Sequence, residues 1–215
     1  LRAGEAVVIA DSGRRPPPGF AENAHASPLA LEFSYGSELI FGSCGPAPAD
    51  LAASKALFRQ GIAHSTPTID AQNAAPTPPL MTLAPADQLL SITTAGYARH
   101  FGVDLERRIT LLSGGTTLVG QDRVIAHGTA SGTIAVRFHL APGVRLRRNQ
   151  DESMVRLQLP NGAIWSFLWE GAAFRDEESV RQSAYVGLHK TRQLVLETRV
   201  VADSEIAWIF TLEQP

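Results

Sequence analysis

Strand-length apolar runs separated by turn signals dominate this chain and limit what it can fold into. In residues 153–171, SMVRLQLPNGAIWSFLWEG, apolar side chains alternate with other residues on both sides of Asn161-Gly162. The alternating residues are Val155, Leu157, Leu159, Trp165, Phe167 and Trp169. Asn-Gly favours a two-residue type I′ turn between antiparallel strands. The segment therefore predicts a β-hairpin with a type I′ turn.

The same signals recur over most of the sequence. Runs such as AVVIA (6–10), LALEFSYG (29–36) and ELIFGSC (38–44) are broken by clusters rich in proline and glycine. We count roughly a dozen strands, with turns about every 8–12 residues, and few helices between them. A doubly wound α/β sheet needs such helices. The pattern predicts an all-β protein, a large antiparallel β-sandwich.

One segment, ADLAASKALFRQG (49–61), predicts a short helix. Asp50 can cap it, Leu51, Leu57 and Phe58 can share one face, and Gly61 can end it. A proline- and alanine-rich loop is expected at 70–87, and loops of that length in a compact domain are more often functional than idle.

Composition limits the classes of function. The 215 residues are 44% hydrophobic, so we expect residues 1–215 to form a single domain. A formal net charge of −2 provides no global positive field and argues against nucleic acid and membrane partners. Cys44 is the one cysteine, which excludes an intrachain disulfide and a multi-cysteine zinc site. The composition fits a bacterial periplasm and a bacterial cytoplasm equally.

The six histidines form no local metal motif. In TIAVRFHLAP, alternation places Ala135, Arg137 and His139 opposite the large apolar residues. In AHSTPTID, His64 shares a side with two threonines. Each histidine is either a hydrogen-bonded or solvated residue, or a member of a site assembled between strands.

Other chemistry is sparse. The sequence has no GxSxG motif, and no base lies near Cys44 in the sequence, so we expect no nucleophilic catalysis. Arg145, Arg147 and Arg148 form either a small basic patch or a set of solubilising side chains. Trp165 and Trp169 either present a platform for a sugar or pack inside the hairpin.

Several blocks, taken together, resemble the heparinase II/III-like family in its C-terminal β-sandwich. The blocks are AENAHASPLALEFSYGSELIFGSCG, FRQGIAHSTPTID, SITTAGYARHFGVDLERRITLL, VGQDRV and RFHLAPGV, in the family's order over about residues 1 to 211. The family contains polysaccharide lyases that act on heparin or heparan sulphate and on alginate by β-elimination. The resemblance implies that this chain is the sandwich without the N-terminal α/α toroid, its expected partner domain, which carries the proton-transfer residues.

The resemblance also implies two sites on the sandwich. A catalytic histidine of the family corresponds to Ile62, so that contribution is expected to be lost. A structural zinc of the family would use His64 and His139, while the middle ligand falls near Thr94 or Ala95, which offer no carboxylate or imidazole. Asp70, Asp87 or His100 are the alternatives for a third ligand, since zinc takes three or four.

Two functions follow as expectations. The first is the non-catalytic half of a lyase that forms part of a cleft for an acidic, uronic-acid-containing polysaccharide. Its candidate substrate-binding residues are Arg99, Arg107, Arg108, Arg137 and Arg147, because guanidinium pairs bidentately with carboxylate or sulphate. The second is a glycan-binding or structural sandwich with only an ancestral relation to lyases.

Overall fold

Antiparallel strands carry most of the computed structural model, which describes residues 1–12, 16–17, 19–20, 24–50, 52–84, 88–150, 153–183 and 187–215. The strands in these residues are β1 Arg2–Ala3, β2 Ala6–Ala10, β3 Leu31–Tyr35, β4 Glu38–Gly42, β5 Pro67–Ile69, β6 Leu80–Ala84, β7 Leu89–Thr94, β8 Val103–Leu112, β9 Thr117–Ala126, β10 Thr133–Leu140, β11 Arg145–Arg148, β12 Val155–Gln158, β13 Ile164–Glu170, β14 Ala173–Ser183, β15 Gly187–Arg199 and β16 Glu205–Gln214. The helices are α1 Lys55–Phe58 and α2 Ala98–Phe101, with 3₁₀ turns at Ala52–Ser54, Gly61–Ala63 and Ser113–Gly115.

The strands form two eight-stranded sheets, and every pair is antiparallel. The first sheet has the order β1-β2-β3-β4-β10-β15-β14, and β5 joins the edge of β10 beyond β4. The second has the order β11-β12-β13-β16-β9-β8-β7-β6. The predicted all-β sandwich is confirmed, with more strands than the dozen expected because several are only two to five residues long.

Aromatic side chains from both sheets fill the space between them. Phe33 meets Trp165 edge to face with ring centroids 5.1 Å apart, and Phe138 meets Trp208 at 4.9 Å. Such edge-to-face pairs contribute beyond the apolar area they bury. This packing favours the second interpretation of the hairpin tryptophans: Trp165 is fully buried, and partly buried Trp169 packs against the core and stacks on Phe174.

The hairpin predicted at 153–171 is confirmed, but the predicted turn type is wrong. Gly162 has a φ of 98°, whereas Asn161 is absent from the residues with positive φ, and a type I′ turn needs both. The Gly162 amide donates to the Leu159 carbonyl and the Leu159 amide to the Ala163 carbonyl. Proline favours the i+1 position of a type I turn, which Pro160 can take, and Gly162 follows in the left-handed conformation.

The predicted helix at 49–61 is shorter and broken. Residues 52–63 form a 3₁₀ turn, the four-residue α1 and a second 3₁₀ turn, and α2 was not predicted. Leu51 lies outside the described residues, Leu57 is exposed and Phe58 is buried, so the helix covers the sheet through one large side chain. No helix in the described ranges is both long and apolar enough to cross a membrane.

Candidate functional site

Two imidazoles from distant parts of the sequence meet at the end of the 3₁₀ turn Gly61–Ala63. His25 Nδ1 lies 3.0 Å from His64 Nε2, and the two rings make an edge-to-face contact with centroids 5.0 Å apart. His64 is 6% exposed, and its ring also hydrogen-bonds the Phe58 backbone. Burial first, and then His25, lower the pKa of His64 to about 4. Both effects favour the neutral imidazole at neutral pH.

His25 brings this pair to the surface. It is exposed, and its pKa is lowered by partial burial and by Arg59, while Asp11 acts in the opposite direction. Arg59 follows α1 directly, and its Nε donates to the Ala24 carbonyl at 2.8 Å. Because Ala24 precedes His25 in the sequence, this hydrogen bond holds the guanidinium close to His25. Sequence reasoning assigned no function to His25 or Arg59.

A polar groove of about 830 Å³ opens beside His25. Its polar lining residues are Asp11, His25, Ser27, Arg59, Gln60, Asn73 and Thr77. Asn73 Oδ1 accepts the Gly61 amide at 2.8 Å, which fixes the wall to the turn that precedes His64. The wall at 73–77 belongs to the long loop expected at 70–87, although that stretch also contains β6 and its residues 85–87 lie outside the described part.

A smaller cavity of about 330 Å³ lies on the other side of His25 and Arg59. Its remaining lining comes from Pro46 to Ala49 and from Lys55 in α1. His25 and Arg59 line both cavities, so these two side chains form a ridge between them.

His139 belongs to a separate cluster. Its Nε2 lies 3.0 Å from the Ile62 carbonyl oxygen, which can only accept, so Nε2 carries the proton. Nδ1 of His139 then accepts from Ser179 Oγ at 2.7 Å, and Cys44 Sγ lies 3.5 Å from the same nitrogen. Burial lowers the pKa of His139 to about 3. The cluster forms the floor of a mainly apolar cavity of about 720 Å³, which Ile62 also lines.

This geometry does not fit the zinc that the resemblance implied. His139 uses both ring nitrogens within the protein, and the imidazole facing His64 is His25 instead. The described residues contain no group of three histidine, cysteine, aspartate or glutamate side chains that could hold a metal. Of the alternative third ligands, Asp70 accepts the Thr133 amide, His100 is exposed on α2, and Asp87 lies outside the described residues.

The structure separates the five arginines proposed for substrate binding. Arg107 is completely buried: its guanidinium pairs with both carboxylate oxygens of Asp122 at 2.6 and 2.8 Å and donates to two backbone carbonyls. A polysaccharide has no access to it, so its role is structural. Arg137 is 9% exposed and donates to Thr68 Oγ1 at 2.8 Å.

The other three arginines are exposed but stand elsewhere. Arg99 lies on α2, Arg147 on β11 and Arg108 on β8, where it pairs with Glu106. None of the five lines the polar groove or the smaller cavity. Arg59 is the arginine that lines both.

Comparisons with known proteins agree with the fold. The C-terminal domain model of the heparinase II/III-like proteins matches residues 1–209. The chain belongs to this family. No curated protein matches the sequence. Among solved structures, the heparan sulfate lyase HepC from Pedobacter heparinus superimposes with a TM-score of 0.78 at 18% identity, over 100% of this chain and 36% of that one.

Two further heparinase structures give the same result. The heparinase III BT4657 gene product has a TM-score of 0.77 at 16% identity, covering 100% of this chain and 35% of its own. Another heparinase III has a TM-score of 0.73 at 16% identity, covering 96% and 33%. These identities support a shared fold, and the chain spans about a third of the length of each solved relative.

Proposed function

We propose that this heparinase II/III-like domain is the non-catalytic sandwich of a polysaccharide lyase and that its polar groove holds part of an acidic polysaccharide. The observation that carries the proposal is the groove itself, with the exposed His25 and the anchored Arg59 on one rim. The family membership supplies the class of ligand, because the solved relatives are heparin and heparan sulfate lyases.

The groove suits an acidic sugar for chemical reasons. The positive charge of Arg59 attracts a carboxylate or sulphate, and the hydrogen bond from its Nε to the Ala24 carbonyl fixes the plane of the guanidinium. The neutral His25, Gln60 and Asn73 add hydrogen-bonding groups suited to sugar hydroxyls. Such a site orients a chain without changing its covalent bonds.

Proton transfer is assigned to a partner domain. β-Elimination from a uronic acid needs a base that removes the proton next to the carboxylate and an acid that protonates the leaving oxygen. Ile62, at the position where the resemblance implies a catalytic histidine, lines the apolar cavity and can do neither. We propose that an N-terminal helical toroid supplies both groups, as the resemblance implies, and closes the cleft over the groove.

The test compares this chain with the protein encoded by its complete reading frame. Each is incubated with heparin, heparan sulphate and alginate, and unsaturated product is followed by ultraviolet absorbance. We expect product only from the complete protein, with binding by both. In Arg59→Gln, we expect binding to weaken by at least about tenfold, because a charge-assisted hydrogen bond contributes about 1.5–3 kcal/mol and each 1.4 kcal/mol is about a tenfold change in affinity. Arg99→Gln is the matched control, and equal loss in the two variants would contradict the groove assignment.

A second candidate function follows from Ile62, which stands at the position where the resemblance implies a catalytic histidine. If the complete protein binds these polymers but yields no unsaturated product from any of them, the domain is a glycan-binding or structural sandwich with only an ancestral relation to lyases. Product from this chain alone would overturn both candidates.

A further inference from the structure

We propose that Arg145, Arg147 and Arg156 form a second binding surface for an acidic polysaccharide, here named the arginine strip. The proposal takes its class of ligand from the proposed function. It adds a contact outside the polar groove, which none of the three residues lines, and only a long ligand can use both.

The sheet geometry places the three side chains together on the solvent face. β11 is an edge strand of the second sheet, and Arg147 stands directly opposite Arg156 in its register with β12. Arg145 lies two residues before Arg147, so it projects from the same face about 7 Å along the strand. Leu146 and Leu157 form the neighbouring pair on the other face, where Leu157 is buried. All three arginines are exposed.

The charge of the arginine strip is only partly matched within the protein. Arg156 Nε donates to a Glu213 carboxylate oxygen at 2.8 Å. Among the residues that the structure describes, no carboxylate pairs with Arg145 or Arg147. Like charges that stand directly opposite each other on neighbouring strands destabilise the pair. An anion bound beside Arg147 and Arg156 would relieve this repulsion.

The arrangement suits a linear polyanion better than a small anion. The guanidinium groups of Arg145 and Arg147 match a carboxylate or sulphate bidentately, and Arg156 adds a third positive charge. At an exposed site one ion pair changes affinity by at most about fivefold, so a single acidic sugar gains little there. A polymer with an acidic group on successive sugars can contact all three arginines at once. The separate contributions then multiply.

Protection of the sheet edge is the alternative explanation for these charges. Charged side chains on an edge strand discourage pairing with a strand of another molecule. That explanation covers Arg145 and Arg147, but not Arg156, which lies on the inner strand β12. Arg148 is not part of the arginine strip, because it pairs with Asp176 of β14. The two explanations predict different results when the charges are removed.

The test replaces Arg145 and Arg147 together by glutamine. The matched control combines Arg99→Gln with Arg199→Gln, which removes the same charge from exposed positions elsewhere. Heparin, alginate and a tetrasaccharide prepared from each are titrated by calorimetry, and uncharged dextran is the blank. Sedimentation velocity detects self-association, and thermal melting checks that each variant remains folded.

We expect the Arg145→Gln/Arg147→Gln variant to bind the polymers about tenfold more weakly than the unaltered protein. Its affinity for the tetrasaccharides should be unchanged, because these need only the groove. The control variant should stay within about twofold of the unaltered protein for all four ligands. The difference between the two variants should shrink at high salt, since salt screens exposed charges.

The outcomes separate the arginine strip from the groove. If the unaltered protein binds neither polymer, both proposals fail. If the Arg145→Gln/Arg147→Gln variant matches the control with the polymers, or loses as much affinity for the tetrasaccharides, the arginine strip is wrong and the groove assignment stands. Self-association of that variant with unchanged affinity would assign the charges to edge protection. If it loses polymer affinity while Arg59→Gln loses none, the groove is wrong and the arginine strip stands.

Discussion

Arg107 shows how a single residue can be misassigned from its charge alone. In β8 it shares every second position with Val103, Leu105, Ile109 and Leu111, all of which are buried. That alternation places the guanidinium on the core face, where it pairs with Asp122. The sequence therefore indicates that Arg107 does not face a substrate groove. The two-residue period of side chains along the strand predicted its position better than its charge did.

Removing the charge of Asp122 should lower the stability of the domain, because Asp122 is the carboxylate of the buried pair with Arg107. Its carboxylate accepts from Arg107 and from Trp208 Nε1 at 2.8 Å. In Asp122→Asn, we expect the free energy of unfolding in urea to fall by about 3 kcal/mol or more, because breaking a buried pair leaves an uncompensated charge. Asp203→Asn removes the carboxylate of the exposed pair with Arg123 and should cost less than about 1 kcal/mol. Equal losses would contradict a structural role for the buried pair.

His64 makes the stability of the domain depend on pH. Its pKa is about 4 when folded, against about 6.5 in an unfolded chain, so the unfolded state binds the proton first as pH falls. The stabilising contribution is complete above pH 6.5 and is lost as pH falls towards 4. Between pH 7.5 and 5.5 we expect this residue to account for about 1.4 kcal/mol of lost unfolding free energy.

The measurement is urea unfolding of the unaltered protein and of His64→Gln at both pH values. The variant should be less stable at pH 7.5 but should lose less between the two values. His100→Gln changes an exposed histidine on α2 and should keep the full pH dependence. A His64→Gln curve parallel to that of the unaltered protein would rule out the effect.

At the scale of elements, local patterns located strands well and turns and sites less well. The 155–169 alternation identified β12 and β13, yet the turn closes with Pro160 and a left-handed Gly162 rather than as a two-residue loop. The Leu159 amide donates to the Ala163 carbonyl, so three residues, 160–162, connect the two strands. This backbone hydrogen bond decides the turn type. A two-residue type I′ turn and a turn that is longer by one residue can both contain Asn-Gly, so the sequence did not distinguish between them.

The candidate site depends on contacts between elements that no local pattern contains. His25 and His64 are 39 residues apart and meet only because the segment before β3 lies against the turn before β5. Alternation in β10 correctly placed His139 opposite the core-facing Phe138, but it could not show that His139 would bond Ile62 and Ser179. The direction of a side chain follows from strand period, whereas its partner follows from the strand order of the sheets.

At the scale of the whole molecule, alternation with frequent turns was enough to predict the sandwich, but not the order of its strands. β10 joins the N-terminal strands β4 and β5 on one edge to β15 on the other, and β16 joins β13 to β9. Both central strands pair elements far apart in sequence. The two sheets therefore cannot be assigned to separate halves of the chain.

We predict that the 215 residues unfold in one cooperative transition. A continuous cluster of buried apolar residues includes side chains from both sheets, and Phe138 of β10 packs on Trp208 and Phe167 of the other sheet. Losing either sheet would expose the apolar face of its partner, so neither is stable alone. Tryptophan fluorescence and far-ultraviolet circular dichroism should give coincident urea transitions. Phe138→Leu should move both midpoints equally to lower urea, and separate midpoints for the two probes would show two independently folding parts.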